Sequence, residues 1–217
     1  RLKDIIPNQC CSIIYTSGTS GFQKGAMLSH DNLIWDATES VKSLVNLHRG
    51  NETIISYLPL SHLAAFMLDL FIASHVAGTV YFAEITALKA NLLQYLQEVE
   101  PTMFTAVPRV YEKIEQKVKE NLEQLNFFKR KLFSWAQNVI LQELLMRLKS
   151  DEKQSSSLKM SIAQRLVSQP VKALLGFRRC KILTTGAAPI NEETKLFFMS
   201  LDIFLTEVYG LTESSCL

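Results

Sequence analysis

The chain has 217 residues, of which 47% are hydrophobic and 20% charged, and a formal net charge of +2. That balance excludes a disordered chain, a collagen-like repeat and a highly charged tail, and fits globular material with a sizeable core. Its four cysteines, Cys10, Cys11, Cys180 and Cys216, form no C-x-x-C pair, so neither a zinc site nor a thioredoxin-like motif is expected. Adjacent Cys10 and Cys11 do not readily bridge each other, and buried free thiols in a reducing compartment are the expectation.

In chain order, β-rich runs predict strands near 11–16, 53–57, 79–83, 102–106, 180–184 and 203–208. Helical patterns fall between them over 29–47, 61–77, 87–98 and 191–200. Ser29 and Asn191 sit where helix caps belong, and Glu192 and Glu193 follow Asn191 into a first turn, where acidic groups meet the positive end of the helix dipole. Strands alternating with helices predict an α/β fold, a mostly parallel sheet layered with helices on both faces. Ligands in such sheets bind at the carboxyl ends of strands. The apolar run from Leu63 to Ala83 contains Asp69, Ser74, His75 and Gly78. Charge at mid-span is costly in a bilayer, so a core helix followed by a strand is the better reading.

From about Arg109 to Leu175 the pattern changes. Val110, Ile114, Val118, Leu122, Leu125, Leu132, Trp135 and Val139 recur at helical spacing, and Ser155-Ser156-Ser157 marks a break. Residues 109–175 are therefore expected to form a helical insertion. Arg109 to Lys181 holds 16 basic and 7 acidic residues, so the positive charge is concentrated there. A solvated helical face explains this charge. The functional alternative is attraction to anionic ligands or to an anionic membrane surface, with Lys129-Arg130-Lys131 beside Phe127, Phe128, Phe133 and Trp135 as the contact patch. No nucleic-acid-reading motif accompanies the charge, so nucleic acid is not expected as a partner.

Three turns carry the chemistry. Thr16, Ser17, Gly18, Thr19, Ser20, Gly21, Phe22, Gln23 and Lys24 follow the apolar run Cys11–Tyr15. Glycines let backbone N–H groups converge, hydroxyls reorient as donors, and the lysine adds a compact charge, a set suited to polyphosphate. The Walker spacing fails, because Gln23 stands at the second required glycine and Gly25 follows Lys24. A plain polar hairpin remains the alternative. The second turn is Thr185-Gly186-Ala187-Ala188-Pro189. The third is Tyr209-Gly210-Leu211-Thr212-Glu213, which offers a flat ring, a hydroxyl and a carboxylate suited to a hard cation. Each follows an expected strand, so all three are expected at one rim of the sheet.

Taken together, the three turns resemble the adenylate-forming (AMP-binding) superfamily of acyl-CoA synthetases, luciferases and peptide-synthetase adenylation domains. The finer resemblance, across essentially the whole chain, is to bubblegum-type long-chain fatty acyl-CoA synthetases. It is carried by Met27–Asn32, Tyr57–His62, Val107–Ile114 and Phe197–Ile203. The resemblance implies a part of the large N-terminal domain of a long-chain fatty acid–CoA ligase, in which ATP and a fatty acid give acyl-AMP and CoA then takes the acyl group. The implied ligands are ATP, Mg²⁺, a long-chain fatty acid and CoA. The ribose-binding aspartate, the hinge and the catalytic lysine of the C-terminal catalytic domain are expected beyond Leu217. No leader is expected from the residues at its start, and the chain is expected to be an excerpt or a truncated product. A catalytically deficient nucleotide- or acyl-binding product, and an adenylating enzyme for a different carboxylate, are the alternatives. A cytoplasmic protein, peripheral on intracellular membranes, is the implied setting.

The resemblance also implies roles. Residues Thr16 through Lys24 cradle the β- and γ-phosphates, with Lys24 supplying charge. Thr212 touches the α-phosphate and Glu213 holds Mg²⁺. Gly186, Ala187 and Ala188 form one wall of the adenine pocket, and Tyr209 the other. Glu207, Val208, Gly210 and Leu211 complete the nucleotide strand. His62 is placed near the reacting carboxylate, with a structural histidine at a helix start as the alternative. Arg109 either pairs with an acid or lines the site. Gln23 stands where proline is usual, which frees φ and predicts a looser loop that still binds phosphate.

Overall fold

A computed structural model describes residues 4–16, 23–44, 47–84, 87, 91–149 and 157–215. The chain divides into two compact units, one of residues 1–95, 101–103 and 209–217, the other of residues 96–100 and 104–208.

The first unit opens with an antiparallel hairpin. Strand β1 (Cys10–Thr16) pairs with β2 (Lys24–Ser29), in a register running from Cys10–Ser29 to Thr16–Lys24. Helix α1 (His30–Ser43) follows at once, and its start is written in the sequence. The Ser29 hydroxyl oxygen accepts from the Asn32 N–H at 3.1 Å, and the Asn32 side-chain oxygen accepts from the Ser29 N–H at 3.3 Å. This reciprocal box satisfies two otherwise orphaned donors. Strands β3 (Thr53–Ser56) and β4 (Thr79–Phe82) run parallel, with Thr53 opposite Thr79 and Ser56 opposite Phe82. Between them lies one continuous helix of three parts: α2 (Leu63–Phe66), a π-helical stretch Met67–Ile72, and α3 (Ala73–His75). The π-helical stretch packs on α1 and β3, burying Met67 and Ile72 near Leu33, Ala37, Ile54 and Ile55 of the unit's core.

The second unit is built round a parallel pair, β6 (Ile182–Thr185) and β7 (Leu205–Glu207). Strand β5 (Met103–Ala106) pairs through Met103 with Ile54 of β3, and the strand order is β4-β3-β5-β6-β7. The expected α/β architecture with a parallel sheet is therefore present. One expected strand lies elsewhere: β1 joins the hairpin rather than the five-stranded sheet. The run 24–29, too short and polar to announce itself, is its partner.

Helix α4 (Leu92–Val99) precedes β5. The helical pattern expected from about 109 to 175 is present as α5 (Pro108–Glu123), α6 (Phe127–Lys149), α7 (Leu158–Ala163), a π-helical stretch Gln164–Ser168, and α8 (Gln169–Leu174). Pro108 opens α5, where its fixed φ suits a first turn and its missing N–H costs nothing. Phe133, Ala136, Ile140 and Leu144 form the buried stripe of α6, facing α7 and helix α9 (Glu192–Ser200). Within this unit Tyr111 sits edge-on to Phe104 and Phe198, with ring centroids 6.1 and 5.6 Å away, and Phe104 meets Phe177 at 5.6 Å. No helix among the described residues is long and apolar enough to cross a membrane.

Gly176, at φ +73°, closes the helical region. A Cβ there would lie 2.2 Å from the Leu96 backbone carbonyl carbon and oxygen. Gly176→Ala should therefore destabilise the fold by about 2–4 kcal/mol, from backbone strain plus overpacking. The check is the urea unfolding midpoint.

Asp36 of α1 is buried, and its Oδ1 accepts from Ser40 Oγ at 3.3 Å. Burial pushes its carboxyl from 3.8 up to about 6, against the opposing Ser40 hydrogen bond. The folded chain thus holds this proton more tightly than the unfolded one. That contribution to stability is full below pH 3.8 and is lost as pH rises through about 6. Asp36→Asn should match the parent near pH 3.5 and exceed it by about 2–3 kcal/mol at pH 7, by denaturant titration at both pH values.

Candidate functional site

The first unit holds two of the three turns. Thr16 and Lys24 are the last paired residues of the hairpin, and Thr16 Oγ1 donates to the Lys24 carbonyl at 3.5 Å. Ser17, Gly18, Thr19, Ser20, Gly21 and Phe22 lie outside the described residues. Gln23 and Lys24 are exposed, and Lys24 forms no ion pair among the described residues, so its charge is open to a ligand. Next to it, Gly25 is required by a close approach. A Cβ there would come 2.8 Å from Ile13 Cγ2 and 3.4 Å from the Tyr15 ring.

The third turn reaches the same hairpin. Thr212–Ser214 form one turn of 3-10 helix that packs on β2, the strand beginning at Lys24. Its geometry is set locally: Ser214 Oγ accepts from the Leu211 N–H at 3.2 Å. Glu213 is exposed, Thr212 half-buried, and Tyr209 is 83% exposed, with its ring face open. A cation charge, a hydroxyl and a carboxylate are thus presented by two packed segments of one unit.

His62 caps α2. Its Nδ1 accepts from the Ala64 N–H at 3.2 Å, while its own N–H donates to the Pro59 carbonyl at 2.9 Å. A nitrogen that accepts carries no proton, so the neutral ring bears its hydrogen on Nε2. The side chain is exposed. His62 is therefore a structural cap at the start of α2, the alternative reading made from the sequence, with its exposed side chain retaining one N–H donor.

The second unit holds the middle turn. Gly186 follows β6 and abuts the end of β7: a Cβ on it would lie 3.0 Å from Val208 Cγ2 and 3.1 Å from the Val208 carbonyl oxygen. The Val208 N–H donates to the Thr185 carbonyl at 2.8 Å. Ala187 adopts φ +66°, a left-handed conformation that a non-glycine residue holds only when its surroundings impose it. Ala188 is exposed. The Glu207 carboxylate accepts from Lys195 Nζ at 2.9 Å and from the Ile190 N–H at 3.3 Å. The Lys195 ammonium first, and the Ile190 N–H second, hold Glu207 below the usual carboxylate value. Glu207 thus braces the 186–190 loop against β7 from within the protein.

Residues that the sequence did not single out support this loop. The fully buried Tyr111 donates its hydroxyl to the Thr184 carbonyl at 3.0 Å, and Thr105 Oγ1 and Thr184 Oγ1 lie 2.7 Å apart. Only long-range topology brings them to β6, so spacing along the chain carried no signal for them. No group of three or more His, Cys, Asp or Glu among the described residues is placed to hold a metal.

On α6, Phe127, Phe128 and Trp135 are exposed beside Lys129, Arg130 and Lys131. Lys131 Nζ stands 4.8 Å from the Phe127 ring centroid. Phe133, expected in the same patch, is instead only 7% exposed and belongs to the buried stripe of α6. The helix turns it by the 3.6-residue period away from Phe128 and Trp135.

Over residues 2–217 the chain matches the AMP-binding enzyme family. It is 45% identical to long-chain-fatty-acid--CoA ligase ACSBG2 of Gallus gallus, over 99% of this chain and 29% of that protein. It is 43% identical to long-chain-fatty-acid--CoA ligase ACSBG1 of Bos taurus, over 96% of this chain and 29% of that protein. The chain thus spans under a third of the length of these relatives. Among solved structures, the adenylation domain of a carboxylate reductase from Mycobacterium chelonae superposes with a TM-score of 0.63 at 23% identity, over 95% of this chain and 27% of that one. The fatty acyl-adenylate ligase from L. pneumophila, in complex with acyl adenylate and pyrophosphate, gives 0.58 at 18%, over 97% and 30%. At these identities the structures share the fold. The match along nearly its whole length places this chain in the AMP-binding enzyme family.

Proposed function

We propose that this chain is part of the adenylating domain of a long-chain fatty acid–CoA ligase, with residues 109–175 as a basic helical insertion and a C-terminal catalytic domain contributed by sequence beyond it. The observation that carries the reading is the placement of Lys24 and Thr212–Glu213 on two packed segments of one unit. The identity with long-chain-fatty-acid--CoA ligases narrows the substrate class to long-chain fatty acids.

The first half-reaction is a problem of charge. A fatty carboxylate oxygen attacks the α-phosphorus of ATP, the bond to pyrophosphate breaks, and acyl-AMP forms. Both reactants are anionic, so catalysis rests on cations and aimed donors that offset the repulsion and hold the departing charge. In this reading Lys24, with hydroxyls and N–H groups from Thr16 to Gln23, holds the β- and γ-phosphates. The Thr212 hydroxyl donates to the α-phosphate. His62, with Nδ1 capped, acts as an N–H donor toward the carboxylate and not as a base. The small residues Gly186, Ala187 and Ala188 suit close approach of an adenine, and the exposed Tyr209 ring suits stacking on one. Val208, Gly210 and Leu211 are read as the rest of the nucleotide strand, with Glu207 bracing the 186–190 loop.

Mg²⁺ fits this donor set. It binds through one or two carboxylates plus phosphate oxygens and water rather than in an all-protein cage. A single exposed Glu213 meets that requirement, and the ion would offset charge on the phosphates. CoA then takes the acyl group from acyl-AMP, completing a thioester. The Phe127–Trp135 patch, with its three basic neighbours, suits an anionic membrane surface from which such a substrate is drawn.

In the full-length protein, fatty-acid-dependent exchange of pyrophosphate into ATP should be present and should fall about 100-fold or more in Lys24→Ala, by analogy with loss of one charge-stabilising donor. Exchange that ignores fatty acids but responds to another carboxylate would reassign the substrate. An unchanged Lys24→Ala enzyme would remove the cradle.

Vesicle pelleting tests the patch. Binding should rise with the fraction of anionic lipid and weaken as salt is raised, since exposed charges are screened within about 10 Å at 0.1 M salt. Binding indifferent to both would count against it.

A further inference from the structure

Asp69 is a buried acid that neither the fold nor the reaction has yet used. It lies in the π-helical stretch Met67–Ile72 and is only 4% exposed. π-helical turns are rare and recur at functional positions, because the widened turn re-aims a side chain at some cost in helix stability. One carboxyl oxygen accepts from the Ser56 hydroxyl, while Oδ2 is buried without a hydrogen-bond partner. Burying a carboxyl among apolar side chains with half its capacity unmet is costly, and such groups are few in native folds. Burial pushes this carboxyl up to about 6, against the opposing Ser56 bond. Neighbouring Tyr57 is pushed above its ordinary value, first by burial and then by the Asp69 charge.

The position of this bond in the chain is what matters. Ser56 is the last residue of β3, and Asp69 lies one helical turn beyond α2. Between them runs the turn Tyr57–Ser61, ending on His62. Downstream, His62 is tied to α2 through its carbonyl, which accepts from the Phe66 N–H at 3.0 Å, and through its ring, which accepts from Ala64. The helix itself is held to the rest of the unit by apolar side chains, Leu63, Ala65, Met67 and Ile72. Apolar contacts are non-directional and tolerate sliding, whereas a hydrogen bond fixes register.

We propose that Asp69 is a positioning residue: bonded back to Ser56, it closes the base of the 57–62 turn and sets the direction in which His62 presents its Nε2–H. The catalytic consequence rests on the proposed fatty acid activation, but the geometric claim does not.

Two readouts separate these. In this chain, ring ¹⁵N spectra of the four histidines, with His62 assigned by its loss in His62→Gln, should report a single Nε2–H tautomer for His62 in the parent. Asp69→Leu and Ser56→Ala should move that resonance toward a mixture of tautomers, and Asp69→Asn, which keeps an acceptor of the same shape, should restore it. In the full-length protein, kcat for exchange should fall about tenfold in Asp69→Leu and Ser56→Ala with the ATP KM within about twofold, and recover in Asp69→Asn, as expected when a reacting group is misplaced rather than lost. Should Asp69→Leu fail to fold, Ser56→Ala carries the test, since it removes only one hydroxyl. A His62 resonance unmoved in Ser56→Ala, or an Asp69→Asn protein no different from Asp69→Leu, would overturn the proposal. The expected shifts in a protein that activates no carboxylate would leave Asp69 in its role and remove the reaction instead.

Discussion

The hydrogen bond from the Tyr111 hydroxyl to the Thr184 carbonyl is the constraint on which the second unit turns. Tyr111 is wholly buried, wedged edge-on between Phe104 and Phe198, so its hydroxyl has little freedom to move. An unpaired hydroxyl there would cost about 1–3 kcal/mol, so the ring and the strand end are held together. What it holds is the last turn of β6, immediately before Gly186 and the left-handed Ala187. Glu207 then fastens the far side of that loop through Ile190 and Lys195. A loop of small residues, which could wander, is pinned at both ends by hydrogen bonds of the protein itself.

The first unit follows the same logic with different chemistry. Its hairpin brings Lys24 onto a strand that supports the Thr212–Ser214 turn, and its helix returns to β3 through a buried carboxyl. Lys24 and Glu213, the charged groups offered to a ligand in the first unit, are exposed, while Asp69 there and Tyr111 in the second unit are buried. This division is what a polyphosphate site needs. Exposed Lys24 and Glu213 stay free to meet charge, and binding need not first break an internal ion pair.

Much of this was legible in the chain. The alternation of apolar runs and helical patterns located the parallel strands to within a few residues, because period and length are local properties. Ser29 and Asn191 cap helices as their side chains suggested, each accepting from an N–H of the first turn. The hairpin stood in the sequence only as the alternative to a phosphate loop, since Lys24-Gly25-Ala26 reads as loop and becomes strand only by pairing with β1. Phe133 was misplaced because a cluster of aromatic letters says nothing of which face each ring takes. Asp69 registered only as a charge that disfavours a membrane span. A lone acid inside an apolar helix was the available signal, and its partner Ser56 is close only in space. Tyr111 stood in the sequence only as one letter of the Val107–Ile114 run, with no sign of its bond to β6, and Thr105 carried no signal.

The contact of Gly176 with the Leu96 backbone has a consequence for how the second unit forms. Leu96 and Gly176 are joined by helices α5 to α8, and those helices make many short-range contacts of their own. Closing so long a segment costs chain entropy that grows only slowly with length, and pre-formed helices shorten the effective distance. On a ribosome, Leu96 would emerge long before the residue that completes its surroundings. These helices would then act as an early-forming scaffold, and the docking of Gly176 against Leu96 would be a late event.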